Sequence, residues 1–165
     1  MNNLVNIIIN ALTGLNKDVV IFIISLLPLL ELRGGLIAAS LLKVNIYKAL
    51  VICFLGNILP IPFVLLLLEK VFNLLRKWKV TKKLVDWLEK KLLSKRKQLD
   101  KYGYAGLLLF VGIPLPGTGA WTGSGLAVLL GLDRKKSFIY IILGVLLAEL
   151  IMGIFSYGIL GNLIN

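Results

Sequence analysis

Residues 102 to 132 impose the tightest constraint on what this chain can fold into. The stretch carries no charged side chain and exceeds the roughly 20 apolar residues that cross a bilayer. Its centre nevertheless reads Gly112-Ile113-Pro114-Leu115-Pro116-Gly117-Thr118-Gly119-Ala120-Trp121-Thr122-Gly123-Ser124-Gly125. No straight helix accommodates two prolines and five glycines in fourteen residues, because Pro removes a backbone donor and Gly is a poor helix former. A water-exposed loop is also excluded, since Leu107 to Val111 precede the interruption and Leu126 to Leu130 follow it. Irregular backbone at membrane depth is tolerated only against protein or a wet cavity. The segment therefore predicts a helical hairpin broken inside the membrane.

A second interruption has the same form. Residues 19 to 42 begin with an apolar run, break at Pro28-Leu29-Leu30-Glu31-Leu32-Arg33-Gly34-Gly35, and resume as Leu36 to Leu42. Each half has about 10 residues, or about 15 Å of helix, which is half a bilayer. Residues 49 to 68 and 137 to 165 read as full spans. Residues 4 to 15 are apolar with interspersed Asn and too short to span, so an interfacial helix is expected over 1 to 18. This N-terminus lacks the basic start and small-residue cleavage site of a signal peptide. At 58 % hydrophobic residues and a mean hydropathy of +0.91, the chain is well above the ~45–50 % apolar content of soluble domains.

Charge is concentrated between the spans. Residues 70 to 101 hold twelve Lys or Arg against three Asp or Glu. Val71, Leu75, Trp78, Val85, Leu88 and Leu92 recur at near-helical spacing, which predicts an amphipathic helix or helix pair lying on anionic headgroups at the cytoplasmic surface. Its position between membrane segments, with no recognition module, argues against nucleic acid. The chain has no His and one Cys. A Cys/His zinc site, a Ser–His–Asp triad and an intrachain disulfide are therefore excluded, and no cofactor or enzymatic activity is expected.

The two halves overlay at an offset of 88 residues. Pro28 falls on Pro116, Gly35 on Gly123, Ala39 on Ala127 and Gly56 on Gly144. The expected fold is an all-α integral membrane protein of two repeats, 19 to 68 and 102 to 165, each a re-entrant hairpin followed by a transmembrane helix. A basic connector joins them over 69 to 101. A hairpin returns to its own side and a span crosses, so the repeats come out inverted, with both termini opposite the connector.

The candidate functional residues lie in the breaks. Glu31 and Arg33 occupy the first, and Glu149 lies within the last span. An ionisable group there costs at least ~2.5–3.5 kcal/mol at the bilayer centre. They can be a structural ion pair, with Glu149 as an alternative partner for Arg33. Alternatively, Arg33 binds an anionic headgroup while Glu31 takes up and releases a proton. In the second break Thr118, Trp121 and Thr122 supply donors, and half-helix N-termini and glycine amides bind anions. Pro28, Gly34, Gly35, Pro114, Pro116, Gly117, Gly119 and Gly123 are assigned to the breaks themselves. Asn57 reads as an interhelical hydrogen bonder.

The stretches Pro28 to Gly34 and Pro114 to Gly123 resemble the two motifs of the small multi-drug export protein family, which is in turn similar to the DedA or VTT superfamily. That resemblance implies two opposed re-entrant hairpins and lipid handling, for DedA proteins are linked to undecaprenyl phosphate translocation and VTT proteins to lipid scrambling. The family's own name implies drug export. DedA proteins carry arginines in the second hairpin, whereas here that hairpin is uncharged and Arg33 lies in the first. The leading expectation is a transporter of an amphipathic or lipid-linked anion across the bacterial inner membrane. Efflux of cationic drugs and a non-transporting scaffold are the alternatives. A homodimer fits so small a chain.

Overall fold

The computed structural model describes residues 16–94 and 102–160; the interfacial helix expected over residues 4 to 15 lies outside them. The described residues form helices joined by short turns. Asn16 caps α1 (Lys17–Leu26) by accepting from the Asp18 amide at 3.0 Å. After a break at Leu27 to Leu30 comes α2 (Glu31–Leu41). A turn then leads to α3 (Ile46–Ile58), capped by Asn45. At Leu59-Pro60 the chain bends into α4 (Ile61–Leu75), where Pro60 and Pro62 each lack a backbone donor. Helix α5 (Lys79–Leu93) is the basic one. The second half holds α6 (Gly103–Gly112), a break at Ile113 to Gly119, α7 (Ala120–Leu129), and α8 (Arg134–Gly153). A π-helical stretch, Ile154–Leu160, continues α8.

Both breaks are shorter than the glycines suggest. Gly34 and Gly35 lie inside α2, and Gly123 and Gly125 inside α7. They permit close packing and do not interrupt the helix. A Cβ on Gly35 would stand 2.9 Å from the Cys53 sulfur, and one on Gly123 2.7 Å from a Val111 methyl. The first span is also longer than 49 to 68. Helices α3 and α4 together form a bent apolar rod of 30 residues, Ile46–Leu75, so residues 70 to 75 belong to it and not to the connector. Among the described residues, the other helix long and apolar enough to cross a bilayer is Arg134–Ile159.

Positions 88 apart carry the same backbone hydrogen bonds at the two turns. Val44 donates to Ala39 and Leu132 to Ala127, both at 2.9 Å. Lys43 donates to Ser40 and Gly131 to Val128, both at 3.0 Å. Lys43 and Gly131 both take positive φ, 54° and 66°. Asn45 and Asp133 then cap the following helices. The packing of Gly56 and Gly144 is similar, against carbonyls 86 residues apart. A Cβ on Gly56 would meet the Phe22 carbonyl and one on Gly144 the Leu108 carbonyl, each at 2.7 Å.

Each short helix pair folds back on itself. Lys17, opening α1, donates to the carbonyl of Leu42, just past α2, at 2.9 Å. Tyr104, near the start of α6, accepts from the Asp133 amide beyond α7 at 3.1 Å. The turn after α2 meets the far end of α8, where Tyr157 donates to the Val44 carbonyl at 2.9 Å. The turn after α7 is the start of α8, tied by Arg134 to Glu69 near the end of α4 at 3.2 Å. Twenty residues of α8, about 30 Å, therefore separate the two turns.

Candidate functional site

The tips of the two breaks meet. Glu31 is 4 % exposed, opens α2, and takes a positive φ of 52°. For a non-glycine residue that conformation costs about 1–2 kcal/mol. It turns the carboxylate onto the first residues of α7. Oε2 accepts from the Ala120 amide and Oε1 from the Trp121 amide, each at 3.1 Å. These amides have no partner within their own helix. The carboxylate supplies acceptors for both and lies at the positive end of the helix dipole.

Gly119, just before α7, makes room for this contact. Its φ of 139° is a conformation L side chains rarely adopt, and a Cβ there would stand 2.6 Å from the Glu31 carboxyl carbon. Gly119 is also the position 88 residues after Glu31, so residues at the offset read from the sequence face each other here.

Arg33 does the converse job at the other end of the second break. Its guanidinium donates to the carbonyls of Leu115 at 2.9 Å, Val111 at 3.2 Å and Ile113 at 3.3 Å, and to the Thr118 hydroxyl at 3.1 Å. Val111 lies in the last turn of α6, where carbonyls go unpaired and the dipole favours a cation. Thr118 Oγ1 in turn lies 3.0 Å from the Ile113 carbonyl and 2.8 Å from that of Leu115. Charged hydrogen bonds contribute about 1.5–3 kcal/mol each, so the clamp offsets much of what burying Glu31 and partly burying Arg33 costs.

Glu31 and Arg33 make no ion pair with each other, and Glu149 is not a partner of Arg33. The charges that follow the first break are spent on backbone groups of the second and on the Thr118 hydroxyl. Trp121 contributes its backbone amide, while its indole nitrogen is buried without a partner. Thr122 follows on α7, half-buried and outside the clamp. Pro28 sits at the exposed tip of the first break, and Pro114, Pro116 and Gly117 shape the second. Glu149 is buried in α8. Asn57 is buried too, yet both of its amide atoms lack a partner, so the interhelical hydrogen bond expected of it is not formed.

A groove of about 250 Å³ runs along α6 to this site, lined by Gly106, Leu109, Phe110, Ile113, Leu115 and Thr118 with Tyr102 at its outer end. On the far side, α5 buries Val85 and lays Leu92 against Gly125 of α7 and Leu68 of α4. Trp78 and Trp87 stay exposed, with the Lys91 ammonium 4.8 Å over the Trp87 ring.

Short apolar helices joined by a buried acid and a half-buried base, beside two helices long and apolar enough to cross a bilayer among the described residues, fit an α-helical membrane protein. The chain belongs to the family described as "Putative small multi-drug export protein", whose model matches residues 31–151, from Glu31 of the clamp into α8. No curated protein and no solved structure matches it.

Proposed function

We propose that the protein exports an amphipathic anion, lipid-linked in the leading case, across the bacterial inner membrane. One observation carries this reading: the apolar groove along α6 ends at Thr118, whose hydroxyl the Arg33 guanidinium contacts. Such a site offers an apolar wall to a hydrocarbon chain and a cation to its polar end. Arg33 holds only neutral acceptors, so an anionic headgroup would compete well for it. Binding would then draw Arg33 from the α6 carbonyls and loosen one end of the clamp. Glu31, taking up a proton, would loosen the other.

In this reading the α1–α2 and α6–α7 pairs are re-entrant hairpins entering from opposite faces, as inverted repeats do. The matching turns, their separation along α8 and the half-bilayer helix lengths support it. The basic helix α5 lies at the cytoplasmic surface on anionic lipid, supported by its lysines and exposed Trp78 and Trp87. Leu29, at the tip of the first break, is 95 % exposed, and Leu115 is exposed at the second. Irregular backbone at membrane depth needs protein around it, so a second copy covers these tips. A Leu29→Cys variant should then cross-link between copies in native membranes.

The test is flux in proteoliposomes. Wild-type protein should move a labelled polyprenyl phosphate between leaflets, and Arg33→Ala and Glu31→Gln should abolish the movement. Unchanged movement in both variants would remove the assigned roles. Efflux of cationic compounds is the second reading, favoured by the family's description and by the buried carboxylates Glu31 and Glu149. A deletion strain sensitised to cationic dyes but not to cell-wall antibiotics would select it.

A further inference from the structure

The interior between α3 and α8 holds polar groups that the clamp does not use. Asn57 is 0 % exposed and Glu149 8 %. Both amide atoms of Asn57 and Oε1 of Glu149 are buried without a hydrogen-bond partner. A buried polar group left unpaired costs about 1–3 kcal/mol, and each of these lies in a span where no water competes.

Helix geometry brings the two together. Leu50 of α3 lies 3.4 Å from where a Cβ on Gly153 of α8 would stand, which fixes the register of this antiparallel pair. Asn57 lies two turns beyond Leu50 on the same face of α3, about 10.5 Å further along. Glu149 lies one turn before Gly153, about 6 Å along in the same direction. Side chains lean toward the N-terminus of their own helix. Glu149 therefore leans toward the level of Asn57, and Asn57 leans back toward it. No hydrogen bond joins them, although one would have satisfied both. Cys53, one turn before Asn57 on α3 and about 4.5 Å beyond Leu50, is within electrostatic reach of Glu149.

Arg33 cannot neutralise Glu149, because α6 and Thr118 take up its guanidinium. A carboxylate beside a neutral amide oxygen is a donor set for a hard cation, and one positive charge balances it. We propose that Asn57 and Glu149 together hold one monovalent cation, Na⁺ or hydronium, between α3 and α8. By helix rise the site lies at the depth of the clamp. Asn57 is eleven residues along from Ile46 and Glu31 ten back from Leu41, about 16.5 Å and about 15 Å from the turn between them. Of the other titratable or charged groups on elements packed against α8, Cys53 of α3 is within electrostatic reach of Glu149, Glu31 and Arg33 of α2 are held by the clamp, and Tyr157 of the π-helical stretch donates to the Val44 carbonyl. Helices α4, α6 and α7 present none at this depth.

The experiment uses the full chain in nanodiscs and dicyclohexylcarbodiimide, which modifies buried carboxyl groups. Peptide mass spectrometry separates Glu149 from Glu31. If the cation is Na⁺, NaCl but not choline chloride should suppress modification of Glu149. If it is hydronium, NaCl should have no effect and the pH midpoint of modification should report occupancy. In either case Asn57→Ala, and the milder Asn57→Ser should the first fail to fold, should shift the half-maximal concentration or the midpoint by about tenfold, one pH unit. Curves that coincide in wild type and variants overturn the proposal, as does a Glu149 that never reacts. Binding is read without transport, so failure here leaves the export reading standing.

Discussion

The first break is four residues long, Leu27 to Leu30, and is followed at once by two charged side chains. The second is seven residues long, Ile113 to Gly119, and carries no charge. They occupy equivalent places in the two halves, yet contribute opposite things. The first supplies an acid and a base from side chains. The second supplies the helix ends those charges fit, amides at the start of α7 and carbonyls at the end of α6. The two breaks are thus complementary parts of one contact. Where the first half has Glu31 the second has Gly119, and where the first has Arg33 the second has Trp121. The loss of a side chain at Gly119 is what admits the carboxylate from its counterpart.

Removing the acid should break this complementarity most severely. Glu31→Ala strips the acceptor from two amides and leaves Arg33 without its acidic neighbour. It should cost about 3–5 kcal/mol, as breaking buried charge networks does, read as a lower unfolding midpoint in detergent. Arg33→Lys keeps the charge but not the fork that reaches several carbonyls at once. A loss of about 1–3 kcal/mol is expected in the same measurement; a value near zero would make charge, and not geometry, the useful property. Thr118→Val removes one acceptor while leaving Arg33 its three carbonyls, and about 0.5–1.5 kcal/mol should follow. Were Thr118→Val as harmful as Glu31→Ala, the asymmetry between the breaks would be wrongly drawn.

Much of the fold was legible in the sequence. The apolar runs, their interruptions and the 88-residue offset followed from composition, Pro and Gly. Glu31 and Arg33 stand out in the sequence for a different reason, because charges in apolar segments are costly enough to need a use. Most of their partners are not legible. Apart from the Thr118 hydroxyl they are backbone groups 78 to 90 residues away, and backbone groups have no sequence identity. Half-helix N-termini were expected to bind an anion; that the anion is the protein's own Glu31 depended on tertiary placement. Gly34, Gly35, Gly123 and Gly125 were assigned to the breaks because propensity alone cannot separate a helix breaker from a packing contact. Leu59-Pro60 only bends its helix, so the first span runs on to Leu75. Asn57 fits the usual pattern of an interhelical hydrogen bonder, and only its surroundings leave it without a partner.

The contact between Glu31 and Gly119 is the centre of this account, and a double-mutant cycle tests it directly. Unfolding midpoints would be measured for Glu31→Ala, Gly119→Ala and the double variant in one detergent. Gly119→Ala places a methyl against the carboxylate, so its cost should fall by about 1–3 kcal/mol once Glu31 is gone. Costs that add within about 0.5 kcal/mol would mean that the two positions do not touch, and the clamp between the halves would have to be abandoned.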